Sequence, residues 1–220
     1  MGNREALLQG AKSCLLEKGF ANTTARDIAS AGGVSLAAIG YHFRSKEALL
    51  TEAFFLAIED WEKEFRQALN TAVSPDAGPV ERFESTWTQL IKTFQTHRPL
   101  WAANFELFAQ LENFKEIQRV LGNSLQQARS GLASLLLHRE ERSIDKETAH
   151  VMGGFYHALM SGLIAQFLID PEHALSAREL THALQVTAAS LASPKGAPTK
   201  KRSGPPKKAG ARKAVRRKSS

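Results

Sequence analysis

Apolar residues recur at steps of three and four positions along nearly all of the first 192 residues, a spacing typical of amphipathic helices. β-branched residues are sparse, and no stretch alternates apolar and polar residues over the length of a strand. Helix-capping and helix-breaking residues divide the pattern into nine segments. The sequence therefore predicts an all-α fold of about nine helices, followed by a tail that cannot form a core.

The ends of the predicted helices depend on capping and helix-breaking residues. The first helix is expected over residues 3–18, because Gly19 is a natural C-terminal stop. A second helix begins after Thr24, with Asp27 in capping-box position, and a third begins directly after a Ser35 cap. Later helices are predicted at about 46–71, 79–97, 114–139 and 145–169, with a sixth helix starting near Pro99 and a ninth running from a Ser176 cap to Ala192.

Residues 24–43 meet the physical requirements of a DNA-reading helix-turn-helix. Gly32 and Gly33 give the backbone the freedom that a sharp turn between the second and third helices needs. The apolar residues expected to hold these helices together are Leu7, Ala11, Cys14, Leu15 and Phe20 in the first helix, Ile28 and Ala29 in the second, Val34 in the turn, and Ile39 and Phe43 in the third. The third helix would then present a short outer face to base edges.

The motifs of this segment resemble the N-terminal signature of the tetracycline-repressor (TetR/AcrR) family of transcriptional regulators. The resemblance covers residues 4 to 55 without a gap and is carried by Gly19-Phe20, TTARDIA at 23–29, AGGVS at 31–35 and YHFRSKEALL at 41–50. It implies a DNA-binding domain over residues 1–50, a fourth helix that links it to the body, and a larger helical ligand-binding and dimerisation domain over 51–192. One departure is Gly40, where the family commonly has an aromatic residue.

The residues expected at the DNA are of two kinds. Apolar side chains at the start of the third helix can touch thymine methyl groups but cannot make paired hydrogen bonds to guanine or adenine. Polar residues around them can hold phosphates or donate to a base edge, and the resemblance implies a phosphate contact for Lys46. The predicted DNA-binding residues are Thr24, Arg26, Ser35, Leu36, Ala37, Ala38, Tyr41, His42 and Lys46. The alternative for His42 is a partly buried ring that packs on the first helix.

Residues 151–169 carry no formal charge, which raises the question of a membrane span. His157, Ser161 and Gln166 weaken that interpretation, and a helix apolar on nearly all sides is otherwise buried in a core or a subunit interface. We expect the last two helices to pair with those of a second copy, as the resemblance also implies, with small residues such as Gly153 allowing close helix approach. The expected interface residues are Phe155, Leu159, Gly162, Leu163, Leu180, Leu184 and Leu191.

Aromatic residues concentrate in the middle helices, where the resemblance implies an inducer pocket. Plain core packing is the alternative for each of them. The predicted pocket residues are Trp87, Phe94, Trp101, Asn104, Phe105, Phe108, Tyr156 and His157. No metal-ligand spacing, glycine-rich phosphate loop or nucleophile motif is recognisable, so neither an enzyme nor a bound metal or cofactor is predicted.

The formal net charge of +7 is unevenly distributed. Residues 193–220 contain eleven of the 29 Lys and Arg residues and no Asp or Glu, so residues 1–192 carry 18 basic and 22 acidic side chains, a net charge of −4. This tail is predicted to be disordered and to bind phosphates without sequence preference. A solubilising tail without a role and a contact with a membrane surface are the alternatives.

These features predict a sequence-specific regulator in the cytoplasm, at the nucleoid. The expected partners are a palindromic double-stranded operator, a second copy of the chain, and a small-molecule effector that releases a homodimeric repressor. The alternative is a nucleoid-associated protein dominated by its basic tail. A single cysteine, Cys14, and no recognisable signal peptide fit a reducing compartment, and Cys14 is expected to be a buried structural thiol.

Overall fold

Capping residues divide the chain into the predicted number of helices in the computed structural model, which describes residues 2–74, 76–112 and 114–192. We number the helices of these described residues α1 (Asn3–Asn22), α2 (Ala25–Gly32), α3 (Ala37–Phe43), α4 (Lys46–Ala72), α5 (Pro79–Thr96), α6 (Arg98–Ala109), α7 (Lys115–Leu137), α8 (Lys146–Ile169) and α9 (Ala177–Ala192). The predicted all-α fold is confirmed. The basic tail, 193–220, lies outside the described residues.

Most of the predicted caps are present. The Thr24 hydroxyl accepts a hydrogen bond from the Asp27 amide at 3.2 Å, and the Asp27 carboxylate accepts one from the Thr24 amide at 2.8 Å, which completes the capping box. Ser45 caps α4 by accepting from the amide of Ala48. The expected cap at Ser35 is wrong, because α3 begins one residue later and no side chain caps it.

Gly19 interrupts α1 as predicted, but the chain resumes one further helical turn that ends at Asn22. The backbone of Gly19 has φ +81° and ψ 172°, a region that only glycine occupies without strain. The break turns the end of α1 towards the start of α2, so that residues 19–24 form the connection between these helices.

The first four helices share one apolar core. α1 contributes Leu7, Ala11 and Leu15, which are almost completely buried against Ile28 of α2 and Leu50 of α4. The predicted inward residues of α1, α2 and α3 are all buried, and Val34 is half-buried against them. Cys14 is buried too, as predicted, and burial raises the pKa of its thiol.

α1 and α2 approach so closely that their contact requires glycine. A Cβ atom on Gly10 would lie 2.7 Å from the backbone nitrogen of Gly32, and a Cβ atom on Gly32 would lie 2.8 Å from the carbonyl oxygen of Ala6. Both distances are shorter than a carbon atom tolerates. The role expected of Gly32 was turn flexibility alone, and Gly10 was not singled out, because its partner is distant in sequence.

The same core continues into the body of the protein, where α5 and α6 pack on α4, and α8 and α9 pack on α5. Trp101 of α6 lies edge-on to Trp61 of α4, with ring centroids 4.9 Å apart, and edge-on to Phe94 of α5 at 5.8 Å. Gly153 of α8 packs on the backbone of Arg129 in α7, so the close approach expected at this glycine involves a helix of the same chain.

Candidate nucleic-acid interface

The turn between α2 and α3 is built from backbone hydrogen bonds. Gly33 has a left-handed conformation, φ +63°, and its amide donates to the carbonyl oxygen of Ser30 at 3.2 Å. The amide of Val34 donates to the carbonyl oxygen of Ala29 at 3.0 Å. These bonds satisfy the carbonyl groups at the end of α2 and set the direction in which α3 leaves the turn.

α3 has an inner and an outer face. Ile39 and Phe43 are buried against α1 and α4, whereas Ala37 and Gly40 are exposed and Tyr41 is 86% exposed. Leu36, which precedes α3, is 49% exposed, and Ser35 is exposed beside it, whereas Ala38 is half-buried and packs on the core. The outer face therefore presents small and apolar groups followed by one large aromatic hydroxyl.

Thr24 and Arg26 lie at the first turn of α2. Arg26 is exposed, whereas the Thr24 hydroxyl is occupied by Asp27, to which it also donates at 2.7 Å. Lys18 pairs with the same carboxylate at 2.6 Å. The hydrogen bonds from Lys18 and Thr24 hold the pKa of Asp27 well below its ordinary value. This turn therefore has an ion pair, Lys18 with Asp27, beside the exposed Arg26.

Lys46 and His42 are held more tightly than the sequence indicated. The Lys46 ammonium group donates to the carbonyl oxygen of Thr23 at 2.9 Å and lies 3.6 Å from the Glu47 carboxylate. The His42 ring is half-buried, with its centroid 4.8 Å from that of Tyr41 and 6.4 Å from that of Phe43. The partial burial fits one half of the alternative for His42, and the ring contacts given for it are to its neighbours in α3.

Arg44 is a surface cation that the sequence analysis did not select. Its backbone has φ +69° and ψ −44°, and the amide of Ser45 donates to the carbonyl oxygen of Phe43 at 2.8 Å. These values describe a γ-turn of the rare, strained type. The turn joins α3 to α4 and places an exposed guanidinium group beside the outer face of α3. No sequence signal reveals a positive φ at an arginine.

The residues of the predicted pocket differ in how deeply they are buried. Trp87, Phe94, Trp101 and Tyr156 are buried in ring-to-ring contacts, Asn104, Phe105 and His157 are half-buried, and Phe108 is at the surface. Two surface pockets of the described residues lie away from these side chains. One runs along the outer side of α5, and the other, of about 180 Å³, lies between the end of α1, the start of α4 and the residues that follow α6. Core packing, the alternative interpretation, describes the buried aromatic residues.

Several buried donors near those aromatic residues have no hydrogen-bond partner. They are the indole nitrogens of Trp61 and Trp87, the hydroxyl of Thr86 and the Nε atoms of Arg82 and Arg129. Burial and the nearby charge of Arg129 lower the pKa of His157, so this imidazole is neutral near pH 7. Among the described residues, no group of three His, Cys, Asp or Glu is placed to hold a metal ion.

The predicted interface residues separate into two groups. Phe155, Gly162 and Leu191 are exposed, and Leu159 and Leu184 are half-buried. The expectation is corrected for Leu163 and Leu180, which are 3% and 4% exposed within the protomer and have no surface to offer a second copy. α8 is also the one helix of the described residues that is long and apolar enough to cross a membrane.

An exposed helix carried by a glycine turn on two bracing helices defines the helix-turn-helix class of DNA-binding proteins. Residues 7–53 match the family model for bacterial regulatory proteins of the tetR family. The resemblance read from the sequence is thereby confirmed over these residues.

Two curated relatives align with the same region. The HTH-type transcriptional repressor KstR2 of Mycolicibacterium smegmatis is 35% identical over 72 residues, which are 33% of this chain and 35% of that protein. The HTH-type transcriptional repressor Rv1474c of Mycobacterium tuberculosis is 43% identical over 60 residues, 27% of this chain and 30% of that protein. The aligned segments thus span about a third of each relative. Both relatives are named as transcriptional repressors.

Solved structures share the fold over most of the chain. The multidrug binding protein EbrR, crystallised with imidazole, superposes with a TM-score of 0.61 at 21% identity and covers 84% of this chain and 95% of its own. A TetR transcription regulator from Haloarcula marismortui gives a TM-score of 0.54 at 20% identity, with 85% and 95% covered. The similarity extends through the regions of α5 to α9, which the family model does not reach.

Proposed function

We propose that this chain is a sequence-specific DNA-binding transcriptional regulator, a homodimeric repressor that acts in the cytoplasm at the nucleoid. The observation that carries the proposal is the exposure of Ala37 and Tyr41 on the outer face of α3, and of Leu36 just before it, while Ile39 and Phe43 fix the other side of the helix. The exposed Leu36 and Ala37 side chains fit thymine methyl groups in a major groove.

Phosphate contacts would come from the cations that surround this face. Arg26 at the start of α2, Arg44 in the γ-turn and Lys46 at the start of α4 are arranged around α3. Such contacts position the protein on the duplex without specifying sequence. With no Arg or Lys on α3 itself, sequence readout in this proposal depends on Tyr41, methyl contacts and DNA shape.

The proposed dimer would form through α8 and α9. Beyond the exposed polar residues of its first turns, Lys146, Glu147 and His150, α8 exposes a stripe at helical spacing that is apolar except for Gln166: Val151, Phe155, Ala158, Gly162, Gln166 and Ile169. A monomeric protein rarely exposes a continuous apolar stripe of this length, which favours a partner of the same chemistry. A two-fold dimer would then place two copies of α3 on two half-sites of a palindromic operator. In this proposal α8 does not cross a membrane.

A small-molecule effector is part of the proposal because buried donors without partners are uncommon in protein cores. The indole nitrogen of Trp87 and the hydroxyl of Thr86 are both fully buried and unpaired. A ligand with acceptor atoms that separated α5 from its neighbours would satisfy them. Release of DNA requires that the ligand prefer the form that does not bind DNA, and about 5.5 kcal/mol of preference moves the population from 1:99 to 99:1.

The direct test is selection of bound duplexes from a random DNA pool by the purified protein. The proposal predicts enrichment of one roughly palindromic sequence by the full chain and by a variant that ends at residue 192. The second candidate, a nucleoid-associated protein dominated by the eleven basic residues of 193–220, predicts no enrichment and loss of binding on deletion of the tail.

A further inference from the structure

We propose that Glu106 of α6 is a positioning residue for DNA recognition, acting through the backbone of the connection between α1 and α2. The inference rests on the proposed function, because it names the contact by which the regulatory body holds the DNA-reading helices in their orientation. Glu106 lies in the part of the chain that neither the family model nor the curated relatives assign to the helix-turn-helix.

The contact is a hydrogen bond from the amide of Ala21 to the Glu106 carboxylate, 3.0 Å long and spanning 85 residues of sequence. The described residues offer this carboxylate no other donor. The Ala21 amide follows the break at Gly19 by two residues, where the regular hydrogen bonding of α1 is interrupted. A hydrogen bond to a charged acceptor is worth more than a neutral one, so this bond can fix the connection.

Gly19 provides the space for the carboxylate. A Cβ atom at this position would lie 2.6 Å from one carboxylate oxygen of Glu106 and 2.8 Å from the other. The same residue needs φ +81°, which other residues adopt only with strain. Its backbone conformation and its missing side chain therefore both serve the approach of Glu106.

From this contact, hydrogen bonds lead to both helices of the DNA-reading unit. The Thr23 hydroxyl donates to the carbonyl oxygen of Gly19 at 2.6 Å and is buried, which joins the break in α1 to the residue before the α2 cap. The Thr23 carbonyl oxygen accepts from the ammonium group of Lys46 at 2.9 Å. A displacement of Glu106 would thus be passed to the start of α2 and to the start of α4, which lie on either side of α3.

Packing alone does not hold this connection. The cavity of about 180 Å³ adjoins it and is lined by Phe20, Ala21, Lys46, Glu47, Gln110 and Phe114. Ala21 itself is exposed. Thr23 is buried in this connection and its hydroxyl also lies 3.1 Å from the carbonyl oxygen of Cys14, so the hydrogen bond to Glu106 fixes the exposed side of the connection, at Ala21.

Three variants of the full chain test the inference. E106L removes both acceptor oxygens, E106Q keeps one acceptor and removes the charge, and E84L is the control. Glu84 is also half-buried within a helix of the body, and its side chain makes no hydrogen bond or ion pair among the described residues. The readouts are the Kd for the sequence that the wild type enriches, the slope of log Kd against log salt, and the thermal unfolding midpoint.

We expect E106L to weaken operator binding by about tenfold or more, the equivalent of one charged hydrogen bond. E106Q should stay within about threefold of the wild type, and E84L should match it. The salt slope should be the same in all four proteins, because Glu106 neutralises no phosphate. Equal affinities of E106L and the wild type for the operator would overturn the inference. Tighter binding by both E106L and E106Q would also overturn it, because that result would mean that the carboxylate simply repels DNA.

Hydrogen exchange of the Ala21 amide provides a test without DNA. The wild type and E106Q should protect this amide, and E106L should lose the protection while the amides of α7 exchange as before. Rapid exchange at Ala21 in the wild type would contradict the inference even if E106L proves too unstable for binding measurements. A wild type that enriches no DNA sequence would reject the proposed function alone, since the exchange result would still stand.

Discussion

Lys46 Nζ donates a hydrogen bond to the carbonyl oxygen of Thr23 at 2.9 Å, so the start of α4 is attached to the residue that precedes the cap of α2. The side chain expected to contact a phosphate is thus already engaged in the free protein. Binding to DNA would either exchange the carbonyl for a phosphate oxygen or use the two hydrogens of the ammonium group that remain.

The replacement Lys46→Met is therefore predicted to weaken DNA binding and to reduce its salt dependence. Loss of one phosphate contact lowers the steepness of log K against log salt by about 0.9. Lys63→Met is the control, because Lys63 is an exposed lysine farther along α4 that pairs with Asp60 at 3.6 Å. A slope unchanged by Lys46→Met would show that Lys46 has a purely structural role at Thr23.

Gly10→Ala is predicted to destabilise the DNA-binding helices. The added methyl group would meet the backbone of Gly32, which cannot move without separating α1 from α2, and such overpacking costs about 1–3 kcal/mol. Gly122→Ala is the matched control, since Gly122 is an exposed position of α7 with open space around it. There the same change raises helix propensity by up to about 1 kcal/mol.

Urea unfolding of both variants measures the effect. The free energy of unfolding should fall for Gly10→Ala and rise slightly for Gly122→Ala. A higher free energy of unfolding for both variants would mean that α1 and α2 separate at little cost. The close approach of Gly10 and Gly32 would then not determine how these helices pack.

The capping box predicts a pH dependence. Lys18 and Thr24 lower the pKa of Asp27 in the folded protein, so its ionised form contributes stability above the unfolded pKa of about 3.9. That contribution is lost as the pH falls through the lower, folded pKa. The variant Asp27→Asn keeps an acceptor but has no charge to lose.

The difference in unfolding free energy between the wild type and Asp27→Asn should accordingly be largest near pH 7 and shrink below about pH 4. Comparing the two proteins removes the effect of other carboxyl groups with lowered pKa values, such as Asp60 and Asp145. A difference that stays constant from pH 7 to pH 2 would contradict a folded-state ion pair at Asp27.

The proposed dimer predicts a change in oligomeric state on Phe155→Glu. A charge in the middle of the exposed α8 stripe would be buried without a partner in the interface, which is strongly unfavourable. Val80→Glu is the control, because Val80 is also an exposed apolar residue but lies on α5. Sedimentation should show a dimer for the wild type and Val80→Glu and a monomer for Phe155→Glu. A wild type that is monomeric at micromolar concentration would contradict the dimer.

Local features of the sequence predicted the fold well. Thr24 and Asp27 are three residues apart at the start of a helix, so the two hydrogen bonds of their capping box could be predicted from the sequence. The faces of α8 were not predictable in this way. Its residues are apolar on all sides, so no periodicity separates Leu163, which is buried in the protomer, from Phe155, which is exposed.

Contacts between residues that are far apart in the sequence could not be predicted either. Nothing in the neighbourhood of Gly10 indicates Gly32, and nothing near Glu106 indicates Ala21, since each pair meets only after the helices have packed. The predicted pocket also depends on packing that the sequence does not show. A cluster of aromatic residues in sequence fits a filled core and an open cavity equally, and the difference depends on side-chain packing.

The central claim is that α3 reads a particular DNA sequence, and a competition titration tests it most directly. The chain ending at residue 192 would be measured at about 0.15 M salt on the enriched duplex and on a shuffled duplex of the same composition, with Tyr41→Ala alongside. The account predicts at least about a thousandfold preference for the enriched duplex, reduced by Tyr41→Ala without loss of thermal stability. Equal affinities of the chain ending at residue 192 for the two duplexes would contradict the account.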